Sequence, residues 1–492
     1  MRGALLLFLS ILGGCTSLDS GGDRADSESA FQARHHAIYV NQFGNIKQPE
    51  SKQTTKSSVL PSGYENENNS PGRLSDQIDS EKRYVDEIIN NYVRKNNDFR
   101  KTHPDKADLK FTLFIHGGLN TFRNAWGRAN LFSAAMLEEG QYPLFVGWNS
   151  GPFTNYFDHL FLIRKGERRP ALAGFSMPFV LIEDVARSIS HIPAAWYMSV
   201  MDPVMVMKSV NSKSERDFEV RMERLKDLHV NVNSTHPFVG VGRSYATIFN
   251  PVKLVTAPFV DGFGAGSWDS MLRRTDLVLS RAKAFEGEID KETPANFADT
   301  ALTMLLKKLE KLKIVQPDGS EYPVCINLIG HSMGAIVANN ILARHSSLKI
   351  ENVVFMGAAA RIKDIENGVV PWLLRENNNA KFYNLSLDPY REIGENLYYD
   401  ILPRGSLLHW IDNIFGEVNS FKDRTAGGWW NIIRTAEDVF PETVRQRVYL
   451  TRFPIGGEEM GPQTHGEFDE FYFWRRSFWM AELKQRKFQP KR

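Results

Sequence analysis

Six short apolar runs constrain this chain most: "LKFTLFI", "YPLFVGW", "YPVCINLI", "IENVVFM", "AKFYNLSL" and "RQRVYLTRF". Helix-patterned stretches lie between several of them, such as "NAWGRANLFSAAMLEEG", "PANFADTALTMLLKKLEKLKI" and "AIVANNILARH". A strand that is apolar along its whole length is covered on both faces, and strands that alternate with helices pair in parallel. The expected fold is therefore α/β, a mostly parallel sheet covered by helices on both faces. Ahead of the first run, "SEKRYVDEIINNYVRKN" carries Tyr84, Val85, Ile88, Ile89, Tyr92 and Val93 as a stripe at helical spacing.

Two long segments interrupt the alternation, at about 151–290 and 390–443, and read as cap-like insertions that form no sheet. The first contains "FVLIEDVARSISHIPAAWYMSVMDPVMVMKSV", whose methionines and aromatics read as core. Asp202-Pro203 interrupts it, so it makes no membrane span. The second carries "SLLHWIDNIF" and "GGWWNIIRT".

The amino terminus has a different character. "MRGALLLFLSILGGCTS" sets one positive charge before a nine-residue apolar stretch and then small residues, the pattern of a secretory signal over residues 1–14. Leu12-Gly13-Gly14-Cys15 resembles a bacterial lipobox. That resemblance implies lipid on Cys15, membrane attachment through it, and, with Thr16 following, the outer membrane. Residues 15–79 are rich in Ser, Gly, Asn and acidic residues and read as a flexible tether, with a short strand at "AIYVNQFG". Ordered structure is expected from about residue 80. Cys325 then has no partner cysteine and reads as an inert buried thiol. With 60 Lys plus Arg against 58 Asp plus Glu, no basic footprint points to nucleic acid. Spacing for a metal site, a P-loop or a dinucleotide fold is absent from the sequence, so no cofactor or metal is expected.

Between the third run and its helix lies Gly330-His331-Ser332-Met333-Gly334. Gly-x-Ser-x-Gly alone is a weak signal. It becomes informative where a buried strand turns sharply into a helix, because such a turn presents the serine and needs glycines at the crossing. Gly242-Arg243-Ser244-Tyr245-Ala246 has similar spacing, but no helical pattern follows it.

A serine hydroxyl needs a base to take its proton, in practice a histidine held by a carboxylate. After the fifth run two histidines remain. His409 sits inside "SLLHWIDNIF" and reads as structural, whereas His465 lies in the loop "GPQTHGEF" after the last run and is the expected base. The expected acid is Asp388, which ends the fifth run ahead of Pro389; Asp364 and Asp412 are its competitors. Charge developing on a substrate oxygen calls for amide donors. One is expected from Met333, and others from Gly117 and Gly118 in "FIHGGLN" at the end of the first run.

Together "FIHGG", "GHSMG", "SLDP" and "THGEF" resemble the α/β-hydrolase superfamily, in its serine esterase and lipase branch, over roughly residues 108–480 without the two insertions. The resemblance implies an eight-stranded sheet with Ser332 as nucleophile, His465 as base then acid, and Asp388 orienting the imidazole. It implies a carboxylic ester hydrolase, and the apolar insertions suggest lipid-like substrates. A non-catalytic envelope lipoprotein using the fold as a binding scaffold, and a translocated lipase toxin, are the rival expectations.

Overall fold

The computed structural model describes residues 33–46, 71–118, 122–148, 150–164, 167–168, 170–194, 196–197, 225, 227–232, 251–281, 298–316, 318–376, 378–395, 402–403, 405–482 and 485–490. The principal elements, in chain order, are β1 (Ala37–Val40), α1 (Pro71–Thr102), β2 (Lys110–Ile115), α2 (Phe122–Glu138) and β3 (Gln141–Trp148). Next come α3 (Pro152–Phe161), α4 (Pro170–Ser190), β4 (His229–Val232), α5 (Pro251–Leu277) and α6 (Ala301–Lys311). The remainder are β5 (Cys325–His331), α7 (Gly334–Arg344), β6 (Lys349–Met356), β7 (Lys381–Ser386), α8 (Trp429–Val439) and β8 (Val448–Arg452).

Eight strands form one sheet in the order β1-β3-β2-β5-β6-β7-β8-β4, and every neighbouring pair is parallel. Side chains alternate between two apolar layers. Phe111, Leu113, Ile115, Leu144, Val146, Ile326 and Leu328 face a layer built from α1, α6, α7 and α8. Phe114, Phe145, Ile329, Val354 and Leu385 face α2 and the carboxyl-terminal aromatics Phe471, Phe473, Trp474 and Phe478. Burying each such side chain contributes roughly 2 kcal/mol, which is why the strands read as unbroken apolar runs.

All six expected strands lie in this sheet, as does the short strand expected at 37–44, which forms one outer edge; the structure adds the other. The tether expected over 15–79 is corrected at both of its described parts. Ala37–Val40 is fully buried and pairs with β3 through Ala37 to Phe145 and Val40 to Trp148. The helix expected from about residue 80 already begins at Pro71. A buried ionic cluster holds the early strand in place. Arg281, with no exposed side chain, binds Glu81 of α1, donates to Asn45 Oδ1 at 2.9 Å and to the Asp299 carbonyl at 2.8 Å. Glu81 in turn accepts the Ile46 amide at 2.9 Å. The short strand expected at 37–44 is thus present, and buried apolar side chains and this ion pair together fasten it where a flexible tether was expected.

The insertion at 151–290 is also corrected. His229–Val232 pairs with Tyr449–Arg452 and closes the far edge of the sheet. Its sequence, HVNV, is only partly buried and alternates with polar residues, as suits an outermost strand. Elsewhere in the described insertion Ile163–Arg164 pairs with Glu167–Arg168 as a small antiparallel sheet, and α3, α4 and α5 pack on one another beyond the carboxyl end of β3. The expectation that its apolar helix is core fails in α4, where Phe179, Ile182 and Ile189 are exposed. The second insertion gives Leu407–Trp410, continued by a wide turn over Ile411–Phe415, and then α8. The signal segment, Cys15 and Ser244 lie outside the described residues.

Candidate active site

β5 runs through the middle of the sheet and ends at His331, and α7 starts at Gly334. The turn between them puts Ser332 at φ 51°, in the left-handed region that side chains other than glycine rarely adopt. That conformation costs on the order of 1 kcal/mol or more, so the surroundings must hold it. Backbone bonds do so, the Ala335 amide donating to the Ser332 carbonyl at 3.1 Å within the turn and two others reaching β6 and the segment after it. The Ser332 amide donates to the Met356 carbonyl at 2.8 Å, and the Ala359 amide donates to the Ser332 carbonyl at 3.0 Å. The flanking glycines are required sterically. A Cβ at Gly334 would stand 2.1 Å from the Ile115 carbonyl oxygen, and one at Gly330 would stand 2.7 Å from the Ala335 nitrogen.

His465 begins a short turn of 3-10 helix after β8. Its Nε2 lies 2.9 Å from Oγ of Ser332, and both side chains are buried. Two groups position the His465 backbone. Glu395 Oε2 accepts its amide at 2.9 Å, and His331 donates from Nε2 to its carbonyl at 3.0 Å. Gly357, at φ 49°, lies against the opposite edge of the imidazole, where a Cβ would come within 3.0 Å of Nδ1. Burial, and secondarily the neighbouring His331, pushes the His465 pKa down to about 3. The ring is therefore neutral near pH 7, the state a base requires.

The glycine loop after β2 packs closely against the serine turn. A Cβ on Gly117 would lie 2.7 Å from Cβ of Ser332, and one on Gly118 would lie 2.8 Å from Sδ of Met333. The loop is fixed by His116, whose Nδ1 binds the Gly117 carbonyl while Nε2 accepts the Trp148 amide at 3.1 Å. Both ring nitrogens are thereby used and the ring stays neutral. Burial, with Arg128 nearby, holds its pKa at about 3. Met333 is buried at the head of α7, where its amide has no acceptor among the described residues. The helix dipole adds to the positive potential there.

The expected acid is placed differently. Asp388 follows the end of β7 and is buried, but its Oδ1 accepts the Tyr390 amide at 3.0 Å and its Oδ2 lies 3.6 Å from Arg452 Nε. Nδ1 of His465 has no hydrogen-bond partner among the described residues, so the structure does not join Asp388 to the imidazole. Proline at the next position starts a short helix, Pro389–Gly394, and its first free amide captures the carboxylate. Neither competitor takes its place. Asp364 closes its own turn with Arg361, and Asp412 accepts from Thr425 and Asn431. His409 lies in the helix Leu407–Trp410, with its ring 3.1 Å from Asn413 Nδ2.

Comparison of the chain with protein-family models, with curated proteins and with solved structures finds no match.

Sequence reading missed two neighbours of the base. His331 sits inside the glycine-flanked motif, and Glu395 lies seven residues past Asp388, yet both bond to the backbone of His465, a contact that leaves no residue-type signature. Burial raises Glu395 to about 7, despite the His465 amide it accepts, and Glu467 adds to the rise. Among the described residues no group of three or more His, Cys, Asp or Glu is placed to hold a metal ion. A groove of about 840 Å³ lies at the other end of the strands, lined by Lys110, Asn327, Asn352, Lys381, Trp474 and Arg476 among others, and takes in none of the residues above.

Proposed function

We propose that this chain is a serine hydrolase of α/β-hydrolase type that cleaves carboxylic esters, with lipid-like esters as its substrate class. The observation that carries this reading is the 2.9 Å approach of His465 Nε2 to Ser332 Oγ, made at a left-handed strand-to-helix turn with Gly117 packed against the serine. Ser332 Oγ attacks the ester carbonyl carbon while His465 takes the hydroxyl proton. The amides of Met333, Gly117 and Gly118 bind the oxyanion. Collapse of the tetrahedral intermediate expels the alcohol, which leaves with the proton from His465. A water, deprotonated by the same histidine, then releases the carboxylic acid and restores Ser332.

Asp388 is the acid of this reading. It stands at the tip of β7, and a turn of its side chain from the Tyr390 amide to Nδ1 completes the triad during catalysis. Helices α3, α4 and α5 and the segment 407–439 act as the cap over the carboxyl edge. Cys15 carries the lipid that holds the protein at a bacterial outer membrane.

One observation favours the second reading, a non-catalytic scaffold: Nδ1 of His465 is buried without a partner. The two readings separate on p-nitrophenyl esters of graded chain length, assayed with wild type, Ser332→Ala and His465→Ala beside a fluorophosphonate probe. A hydrolase is labelled at Ser332, shows a chain-length optimum and loses activity in both variants. Equal silence of all three proteins, with no labelling, leaves the scaffold.

A further inference from the structure

Helix α4 carries an exposed apolar row on its outer side and ionic partners among the groups on its inner side. Taken at 100° per residue, Phe175, Phe179, Ile182, Ala186 and Ile189 lie within an arc of about 80°. The large members of that row are open to solvent, Phe175 at 87%, Phe179 at 72%, Ile182 at 63% and Ile189 at 63%. The opposite side, Val180, Asp184 and Ser188, is buried against α3 and α5. There Asp184 accepts the Tyr156 hydroxyl at 2.7 Å and lies 3.4 Å from His159. One turn on, Arg187 and His191 pair with the buried Asp261 of α5. Arg274 of α5 pairs with Asp158 of α3 in the same interior. Glu183 and Ser190 mark one flank of the outer row.

In water this is the reverse of what burial favours, since the apolar row faces solvent and the ionic groups lose theirs. The order becomes the expected one when the outer surroundings are hydrocarbon: polar groups then pair with each other inside, and the apolar face meets lipid. The sequence directly ahead of the helix, IRKGERRP, sets Arg164, Lys165, Arg168 and Arg169 against the single acid Glu167. A basic run at the end of an apolar face matches anionic headgroups above acyl chains. None of the described helices is long and apolar enough to cross a membrane, so the arrangement fits seating in the interface.

We propose that the outer face of α4 seats in the surface of an anionic lipid bilayer, as a membrane contact separate from any lipid on Cys15. Placed beyond the carboxyl end of β3, it holds the strand edge that carries Ser332 close to the bilayer.

The test uses the full chain with Cys15→Ser and Cys325→Ser, carrying an environment-sensitive nitrobenzoxadiazole label on a cysteine introduced at Phe179 or Ile182, and at Lys313 as a control site. Vesicles containing phosphatidylglycerol are added, with and without doxyl-labelled lipid. Seating gives a several-fold rise in emission with a blue shift at 179 and 182, quenched by the doxyl lipid, and none at 313. A label that is blue-shifted before vesicles are added, at any protein concentration, means that the chain itself covers the face and overturns the proposal. A blue shift that grows with protein concentration in the absence of lipid assigns the face to a second copy and overturns it as well, as does a label that stays wet throughout. The readout does not pass through Ser332, so it fails or succeeds independently of the hydrolase reading.

Discussion

His465 meets Ser332 with Nε2 at 2.9 Å while its other ring nitrogen, also buried, has no hydrogen-bond partner among the described residues. A buried, unsatisfied donor costs about 1–3 kcal/mol, so this imidazole is poised to accept a carboxylate. If Asp388 turns onto Nδ1 in the working enzyme, Asp388→Asn lowers kcat about 10⁴-fold with little change in KM. Glu395→Gln, which keeps an oxygen for the His465 amide, stays within about tenfold of wild type. Steady-state kinetics of both variants check this, and the reverse ranking would transfer the orienting role to Glu395.

The pH dependence of activity follows from the same ring. Burial and His331 lower the His465 pKa, so the neutral base persists below the ordinary histidine range. The acid limb of kcat/KM should therefore fall below pH 6, not near 6.5. A pH profile between 4 and 9 reads it directly. His331→Ala removes the second cause of the depression and should move the limb towards higher pH.

Stability should respond to pH in the opposite sense at Glu392. Burial raises this carboxyl to about 8, and Ser406 donates to one of its oxygens. In the unfolded chain it ionises near 4.5, so between the two values the unfolded state holds fewer protons. Its stabilisation is thus complete below the unfolded pKa and is lost as pH rises towards 8. Glu392→Gln should remove a pH-dependent loss of about 3 kcal/mol between pH 5 and pH 8. Urea midpoints at both values, wild type against variant, measure the difference.

The buried pair of Arg281 and Glu81 supports the sheet's early edge. Arg281→Ala leaves the Glu81 carboxylate without its cation and should cost about 3–5 kcal/mol. Arg281→Met, with Glu81→Gln beside it, should recover part of that loss. Hydrogen exchange at Ile38 and Val40 should speed up in Arg281→Ala, because Ile46 and Asn45 are fastened through the same pair.

Why some of this could be read from the sequence and some could not is a matter of what holds each part. β2, β3, β5, β6, β7 and β8 are covered on both faces and so are apolar throughout, which makes them visible. β1 was legible as a short strand, but the polar stretch around it hid its burial at the sheet's edge; β4 alternates apolar with polar residues at an exposed edge, a pattern that differs little from a loop. Within the site, Ser332, His465, Gly117 and Gly118 were legible because nucleophile, base and close backbone approach each demand a residue type. Asp388 was legible as a strand-end acid, but its capture by the Tyr390 amide depends on local geometry that no spacing encodes. Phe179, Ile182 and Ile189 misled for a physical reason: apolar periodicity tells which residues share a face and leaves open which way that face points.

The outermost strand has a consequence for how the molecule comes to be folded. His229 bonds to Gln446, 217 residues later, and the whole of β4 pairs only with β8. A chain made from its amino terminus releases β4 with its edge unsatisfied and keeps it waiting until nearly all of the remainder has followed. Closure of that edge is a late event, and a chain cut short ahead of Val448 would lose β8 and leave β4 without a place in the sheet.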